Sequence, residues 1–247
     1  MKALILAAGR GTRIRSAIGP HPKCLISFGG QSIIERQIEG LLSVGIRDIG
    51  VVVGYKKLEI IAHLKSRIRN SRARIRFFEN PQFDSTNNIY SLWRAKEWVM
   101  GESSVCLNAD VVFDPAMLAP LLQATGPITM LVDPKWCDET MKVIIRNGRI
   151  VRMGKQIERS EFSGTYVGIT AFARSAQSRL FQKVDQLIRS GNVNTFFNSA
   201  VQDLADEGMC VGYAMTNGLP WAEIDDPNDL AYASENVFPK LRHAIAA

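Results

Sequence analysis

The chain has 247 residues, enough for one large domain or two small ones with a real core. Hydrophobic residues at 46% and charged residues at 22% exclude a disordered chain, and no apolar run approaches the roughly 18 residues of a membrane span. A net charge of +6 suits an anionic partner.

The N-terminus lacks a signal-peptide pattern, because its apolar stretch ends in AAGRGTR without a small-x-small cleavage region. A cytoplasmic protein is expected. Cys24, Cys106, Cys137 and Cys210 are too far apart in sequence for a zinc or redox pair, so reduced, mostly buried thiols are expected. His21, His63 and His243 are scattered and form no zinc motif.

In chain order, KALILAA reads as a buried strand. SIIERQIEGLLSVG places Ile33, Ile34, Ile38, Leu41 and Leu42 at helical spacing and closes at Gly45. DIGVVVG predicts a second strand and KKLEIIAHLKSRI a second helix. RIRFFEN follows as a strand, NIYSLWRAKEWV as a helix and SSVCLNAD as a strand. This alternation predicts a Rossmann-like α/β fold, a mostly parallel sheet with helices on both faces. The basic run from Lys65 to Arg76 reads as a solvated helix end passing into an edge strand. It lacks interleaved aromatics, so no nucleic-acid partner is expected.

The pattern then changes. MKVIIRNGRIVRM is two short strands around Asn147-Gly148, a hairpin signal because both turn positions need positive φ. GTYVGITAF predicts a strand, with helices to follow at Ala176–Arg189 and Asn194–Glu207. The strand CVGYAM comes next, and Asp226 before Pro227 reads as a helix cap. The whole is expected to be one domain, 1–247, with an inserted hairpin region at about 134–170.

The chemistry starts in LILAAGRGTRI. A glycine-rich loop after a first strand lets backbone amides approach phosphate. The dinucleotide fingerprint would need glycine where Ile14 stands, and the Walker pattern would need a following Lys and Ser/Thr. Gly9, Arg10, Gly11, Thr12, Arg13 and Arg15, followed by Pro22-Lys23, instead suit a triphosphate whose pyrophosphate end is held and released. Asp110 ends a strand, at the sheet edge where such folds bind ligands. Glu223, Asp225 and Asp226 are candidates for a second carboxylate. Asp225 is preferred, since Asp226 is accounted for as a cap.

LILAAGRGTRI…PKCLI resembles the signature of nucleotidyltransferases that activate sugar phosphates and small phosphate esters. DSTNNIYSLWRA and EIDDPNDLAYA narrow the resemblance to cytidylyltransferases acting on phosphocholine and on phosphonates such as aminoethyl- or hydroxyethylphosphonate. The resemblance implies a nucleotide-diphospho-sugar transferase fold. It implies CMP transfer from CTP to a small phosphonate or phosphate ester, with release of pyrophosphate. Arg13 and Lys23 would be the catalytic cations, and Mg²⁺ would be held by Asp110, Asp225 and Glu223. Nucleotide contacts would come from Ala8, Gly9, Gly11, Thr12, Asn80, Asn87 and Asn88, although Asn87 or Asn88 fits equally as a helix cap. The acceptor would meet Lys142, Lys155 and Trp136, with Lys142 also readable as an ordinary strand lysine and Trp136 as a packing residue. Gly164-Thr165 departs from the Gly-Glu usual in related sequences, which leaves the acceptor open.

A uridylyl- or thymidylyltransferase acting on a sugar 1-phosphate is the alternative, and a non-catalytic nucleotide-binding module a remoter one. No membrane partner is expected, and a homodimer is allowed for.

Overall fold

The computed structural model describes residues 1–68 and 72–241; His243, and residues 69–71 of the basic run, lie outside them. Nine strands of the described residues form the main sheet: β1 (Lys2–Ala7), β2 (Asp48–Val53), β3 (Arg74–Glu79), β4 (Ser104–Asn108), β5 (Ile128–Asp133), β6 (Lys142–Arg146), β7 (Arg149–Gly154), β8 (Gly164–Phe172) and β9 (Val211–Met215). The helices used below are α1 (Ile33–Ser43), α2 (Lys57–Arg67), α3 (Asn88–Arg94), α4 (Arg174–Arg189) and α5 (Asn198–Asp206).

β1 is apolar on both faces and therefore central. Ala3, Ile5 and Ala7 pack into one core with Ile34, Ile38 and Leu41 of α1. Leu4 and Leu6 point the other way, into a core shared with Ile89 and Leu92 of α3. Parallel pairing runs β3-β2-β1-β4, as the alternating sequence requires. β8 then docks antiparallel on β4 and carries the rest of the sheet, pairing with β5 and β6. This is the expected α/β architecture, with a mixed wing, antiparallel except where β9 pairs parallel to β5, joined to a parallel half.

The local details follow from named residues. Ser32 and Glu35 form a capping box at the start of α1. Asn147 (φ 50°) and Gly148 (φ 72°) make the hairpin turn between β6 and β7 in the left-handed region, as their sequence demanded. Asp226 caps the helix Pro227–Tyr232, with Asp229 completing a capping box. Lys65 to Arg67 end α2, and the β3 strand beyond lies at the sheet edge.

Two helix boundaries differ from expectation. The helix expected over NIYSLWRAKEWV breaks at Ala95. The helix expected from Asn194 begins only at Asn198. Residues 193–197 are held instead as a loop against the start of α3. Asn87 N–H donates to the Val193 carbonyl (2.9 Å), and Phe197 N–H donates to Asn88 Oδ1 (2.8 Å). The cysteines are all free, with Cys24 and Cys106 buried, Cys137 intermediate and Cys210 exposed. No helix among the described residues is long and apolar enough to cross a membrane.

Candidate functional site

The first loop runs from β1 into a short 3₁₀ turn, Thr12–Ile14, with Gly11 at its N-cap in the left-handed region (φ 55°). A Cβ on Gly11 would stand 2.5 Å from Cγ of Lys23. The second glycine is thus required twice, once for its φ and once to let the lysine stem cross the loop. Gly9 is different. Nothing beyond its chain neighbours comes within 4 Å of where its Cβ would be, and the residue lines the cavity described below.

Asp110 follows β4, and Gln37 of α1 pins the turn that presents it. The buried Gln37 amide donates to the carbonyls of Asn108 and Val111, both at 2.8 Å. A two-stranded ladder, Val111–Phe113 against Trp221–Glu223, then brings a distant segment alongside. The Ile224 N–H donates to the Asp110 carbonyl (3.0 Å), so Glu223 and Asp225 arrive next to Asp110.

Lys23 sits between the two aspartates. Its Nζ donates to Asp110 Oδ2 (2.8 Å) and Asp225 Oδ1 (2.6 Å), and Arg13 donates to Asp225 Oδ2 (2.5 Å). Burial works to lower Lys23, but the two carboxylates outweigh it and hold the ammonium charged well above its ordinary range. Burial likewise works to raise Asp225, yet Lys23 and Arg13 hold it below the usual carboxylate range. Burial, with Asp110 and Asp225 close by, pushes the Glu223 carboxyl up to about 8. The neighbouring Cys24 thiol is pushed up to about 12, chiefly by burial, and is a neutral packing group rather than a nucleophile. Asp110 Oδ1 is buried with no hydrogen-bond partner, a polar atom whose desolvation calls for a ligand.

These groups face a cavity of about 300 Å³. Of the residues singled out from sequence, Ala8, Gly9, Arg13, Lys23, Asn80, Asn87, Asn88, Asp110, Lys155, Glu223 and Asp225 line it; Gly11, Thr12, Trp136 and Lys142 do not. Gly11 and Thr12 shape the loop from behind. The asparagines are already engaged with protein. Asn80 donates to Thr86 Oγ1 (3.0 Å) and Ser91 Oγ (3.2 Å) and accepts from the Gln82 N–H (2.9 Å). Asn87 is the N-cap of α3, and Asn88 joins that helix to Phe197 and to Asn108.

The expectations for Lys142 and Trp136 need correction. Lys142 is only 1% exposed, and a buried ammonium must be solvated by protein. Its Nζ donates to the carbonyls of Asp138 (2.6 Å), Lys155 (3.2 Å) and Thr140 (3.3 Å), so it ties the loop before β6 to the end of β7. Trp136 packs edge-on against Phe162 and donates to Asp138 Oδ1 (2.6 Å). Lys142 Nζ lies 4.7 Å from its ring centroid and the Arg159 guanidinium 5.4 Å. Sequence reading missed Tyr166, Phe196 and Asn198, which also line the cavity. The paired phenylalanines before α5 were the available signal, but an apolar pair there reads as core.

The geometry defines a class of protein: cations on a glycine loop set against strand-end carboxylates, in an α/β fold with helices on both faces of the sheet. Residues 3–159 match the MobA-like NTP transferase domain, and the chain belongs to that family of nucleotidyltransferases. It is 28% identical over 255 residues to the CTP:phosphoglutamine cytidylyltransferase of Campylobacter jejuni, covering 93% of this chain and 98% of that one. It is 29% identical to the 2-aminoethylphosphonate cytidylyltransferase of Lancefieldella rimae, over 81% and 79% of the two chains. Among solved structures, the CTP:phosphocholine cytidylyltransferase of Streptococcus pneumoniae superposes with a TM-score of 0.79 at 26% identity, covering 95% of this chain and 97% of that one.

Proposed function

We propose that the chain is a cytidylyltransferase that transfers CMP from CTP to the phosphonate or phosphate group of a small acceptor, releasing pyrophosphate. The relatives' shared chemistry supports the class of reaction. The observation that carries the reading is the placement of Lys23 between Asp110 and Asp225, with Arg13 on the far side of Asp225.

The acceptor oxygen attacks the α-phosphorus in line, and pyrophosphate leaves opposite. A phosphate ester has its second pKa at about 6, so the nucleophile is already an oxyanion near neutral pH and needs no protein base. Catalysis then comes from positioning and charge neutralisation. Lys23 stabilises charge on the α-phosphate and the incoming group. Arg13 and the loop amides hold the leaving pyrophosphate, and the open side of Gly9 lets the nucleotide approach the backbone closely.

The residues fit a divalent metal. Asp110 and Asp225 are hard oxygen donors, and Asp110 Oδ1 is buried without a partner. Two carboxylates suit Mg²⁺, which keeps several waters and takes substrate phosphate oxygens beside one or two carboxylates. Asp110 and Asp225 would hold it, with Glu223 adjoining. Bound there, Mg²⁺ neutralises phosphate charge.

A screen of CTP, UTP, dTTP and GTP against small phosphonates, phosphate esters and sugar 1-phosphates, read as pyrophosphate release with Mg²⁺, tests this. CTP is expected to support turnover with a phosphonate or phosphate ester. Turnover with UTP or dTTP on a sugar 1-phosphate alone would replace the reading with the sugar-nucleotide one. Nucleotide binding without pyrophosphate release would leave a binding module.

A further inference from the structure

Three lining residues of the cavity were not connected by sequence reading. Lys155, from the turn after β7, lies within electrostatic reach of Glu223; Phe196 and Asn198 come from the loop leading into α5 and its first residue. Lys155 Nζ lies 5.6 Å from the centroid of the Phe196 ring. Asn198 is 4% exposed, and its Nδ2 is buried without any hydrogen-bond partner. An unmade hydrogen bond on a buried amide costs about 1–3 kcal/mol. A fold that keeps one against a ligand cavity keeps it for the ligand. The loop that carries Asn198 is fastened through Asn88 and Asn87 to α3, so the amide is held by the scaffold.

A quaternary ammonium would leave the Asn198 donor unmade. Such a group makes no conventional hydrogen bond and is recognised by open aromatic faces. The Phe196 ring already has Lys155 over it, and Trp136 stands outside the cavity with two protein cations over its ring. The Tyr166 hydroxyl is bonded to Thr170 (2.8 Å). Of the cavity's carboxylates, Asp110 and Asp225 bond Lys23, and Glu223 lies within electrostatic reach of both Lys23 and Lys155.

Resting on the cytidylyltransferase reading, we propose that Asn198 determines acceptor specificity by hydrogen-bonding the end of the acceptor remote from its phosphonate or phosphate. The group selected is a hydroxyl, carboxamide or carboxylate oxygen, and a trimethylammonium is rejected. Lys155 holds the acceptor's phosphonate or phosphate, and Asn198 reads the far end.

The test compares 2-hydroxyethylphosphonate, 3-phosphonopropionate and phosphocholine with CTP and Mg²⁺, in the wild type, Asn198→Ala and the isosteric Asn198→Asp. The wild type is expected to use at least one oxygen-bearing acceptor with kcat/KM about tenfold or more above phosphocholine. Asn198→Ala should lower kcat/KM for that acceptor about tenfold, mainly through KM, and narrow its advantage over phosphocholine by a comparable factor. Asn198→Asp, with thermal unfolding confirming the fold, should discriminate most against the carboxylate acceptor. Phosphocholine as the preferred wild-type acceptor would overturn the proposal while leaving cytidylyl transfer intact. So would an equal loss on all three acceptors in both variants. No pyrophosphate from CTP with any of them would overturn the proposal, and none with the wider acceptor panel above would overturn the underlying reading as well.

Discussion

The two ends of the cavity are built by different means. At the nucleotide end, each group stands on a short, rigid piece of local sequence: a glycine loop, a strand end, and a three-residue ladder that joins Asp110 to Asp225. At the acceptor end, the groups sit on the turn after β7 and on a loop whose shape depends on hydrogen bonds from α3. The first end is fixed by backbone chemistry, and the second by which side chains find one another. A shared reaction with divergent acceptors is the expected consequence, since loops vary while their scaffold holds.

The strongest way to break this comparison is at Lys23. Lys23→Ala is expected to lower kcat by about 100- to 1,000-fold, the usual loss for one preorganised stabiliser of transition-state charge. It also leaves Asp110 and Asp225 facing each other without their shared cation, so the melting temperature should fall modestly while far-ultraviolet circular dichroism stays native. A kcat within about threefold of wild type would remove Lys23 from the chemistry.

Next in size is the metal. Asp110→Asn is expected to weaken Mg²⁺ binding in the presence of CTP by about 10- to 100-fold, taking outer-shell losses as a lower guide. Titration calorimetry, or Mn²⁺ relaxation as a surrogate, reads this without turnover. Unchanged metal affinity would show that the unpartnered Asp110 Oδ1 serves something else.

How much of this was legible beforehand follows the same division. The central strands, the order of the parallel half, the hairpin turn at Asn147-Gly148 and the Asp226 cap could be read, because each rests on local periodicity or positive φ. Arg13, Lys23, Asp110 and Asp225 could be selected, and the structure brings them together. Lys142 stayed open between an acceptor lysine and an ordinary strand lysine, because sequence shows a lysine but not its burial. Only folding reveals that three carbonyls surround its ammonium. Asn88 stayed open in a related way, since an amide on a helix start reads the same whether it meets a base or the backbone of Phe197. Asn198 was invisible because its significance is a missing partner, and absence has no sequence signature.

Gly11→Ala sharpens the nucleotide end further. The residue adopts φ 55°, and its new Cβ would meet the Lys23 stem at 2.5 Å. A left-handed non-glycine residue costs about 1–2 kcal/mol, and the lysine must shift to relieve the clash. The expected result is a comparable loss of stability with a fall in kcat of about tenfold, because a small misplacement of a positioned group is costly. Gly9→Ala meets no protein atom beyond its chain neighbours, so it should leave stability nearly unchanged and raise KM for CTP instead.

At the acceptor end, Lys142 and Lys155 can be separated by paired variants. Lys142→Met removes the donor to three carbonyls and should cost about 1–3 kcal/mol of unfolding free energy, with KM for every acceptor moved alike. Lys155→Met should leave the melting temperature nearly intact and raise acceptor KM selectively. A selective KM effect in Lys142→Met would restore it to the acceptor site and break the distinction drawn between the two lysines.

The smallest effect lies outside the cavity and serves as a control on the scaffold. Glu35 of α1 accepts from the Ser32 N–H and hydroxyl (both 2.7 Å), from Arg67 Nε (3.0 Å), and lies 3.1 Å from His63 Nε2. Burial works to raise its pKa, but these partners outweigh it and hold the carboxyl down at about 2, against an ordinary 4.5. A carboxylate depressed on folding contributes stability that is complete above its unfolded pKa and lost as pH falls through its folded one. The contribution of Glu35 is therefore expected to be whole near neutral pH and to drain away between about pH 4.5 and pH 2. Unfolding by denaturant across that range should show a shallower loss of stability in Glu35→Gln than in the wild type, with activity at neutral pH little changed. Parallel curves for the two proteins would mean that the acid sensitivity of this fold resides elsewhere, and that the α1–α2 junction is held by packing alone.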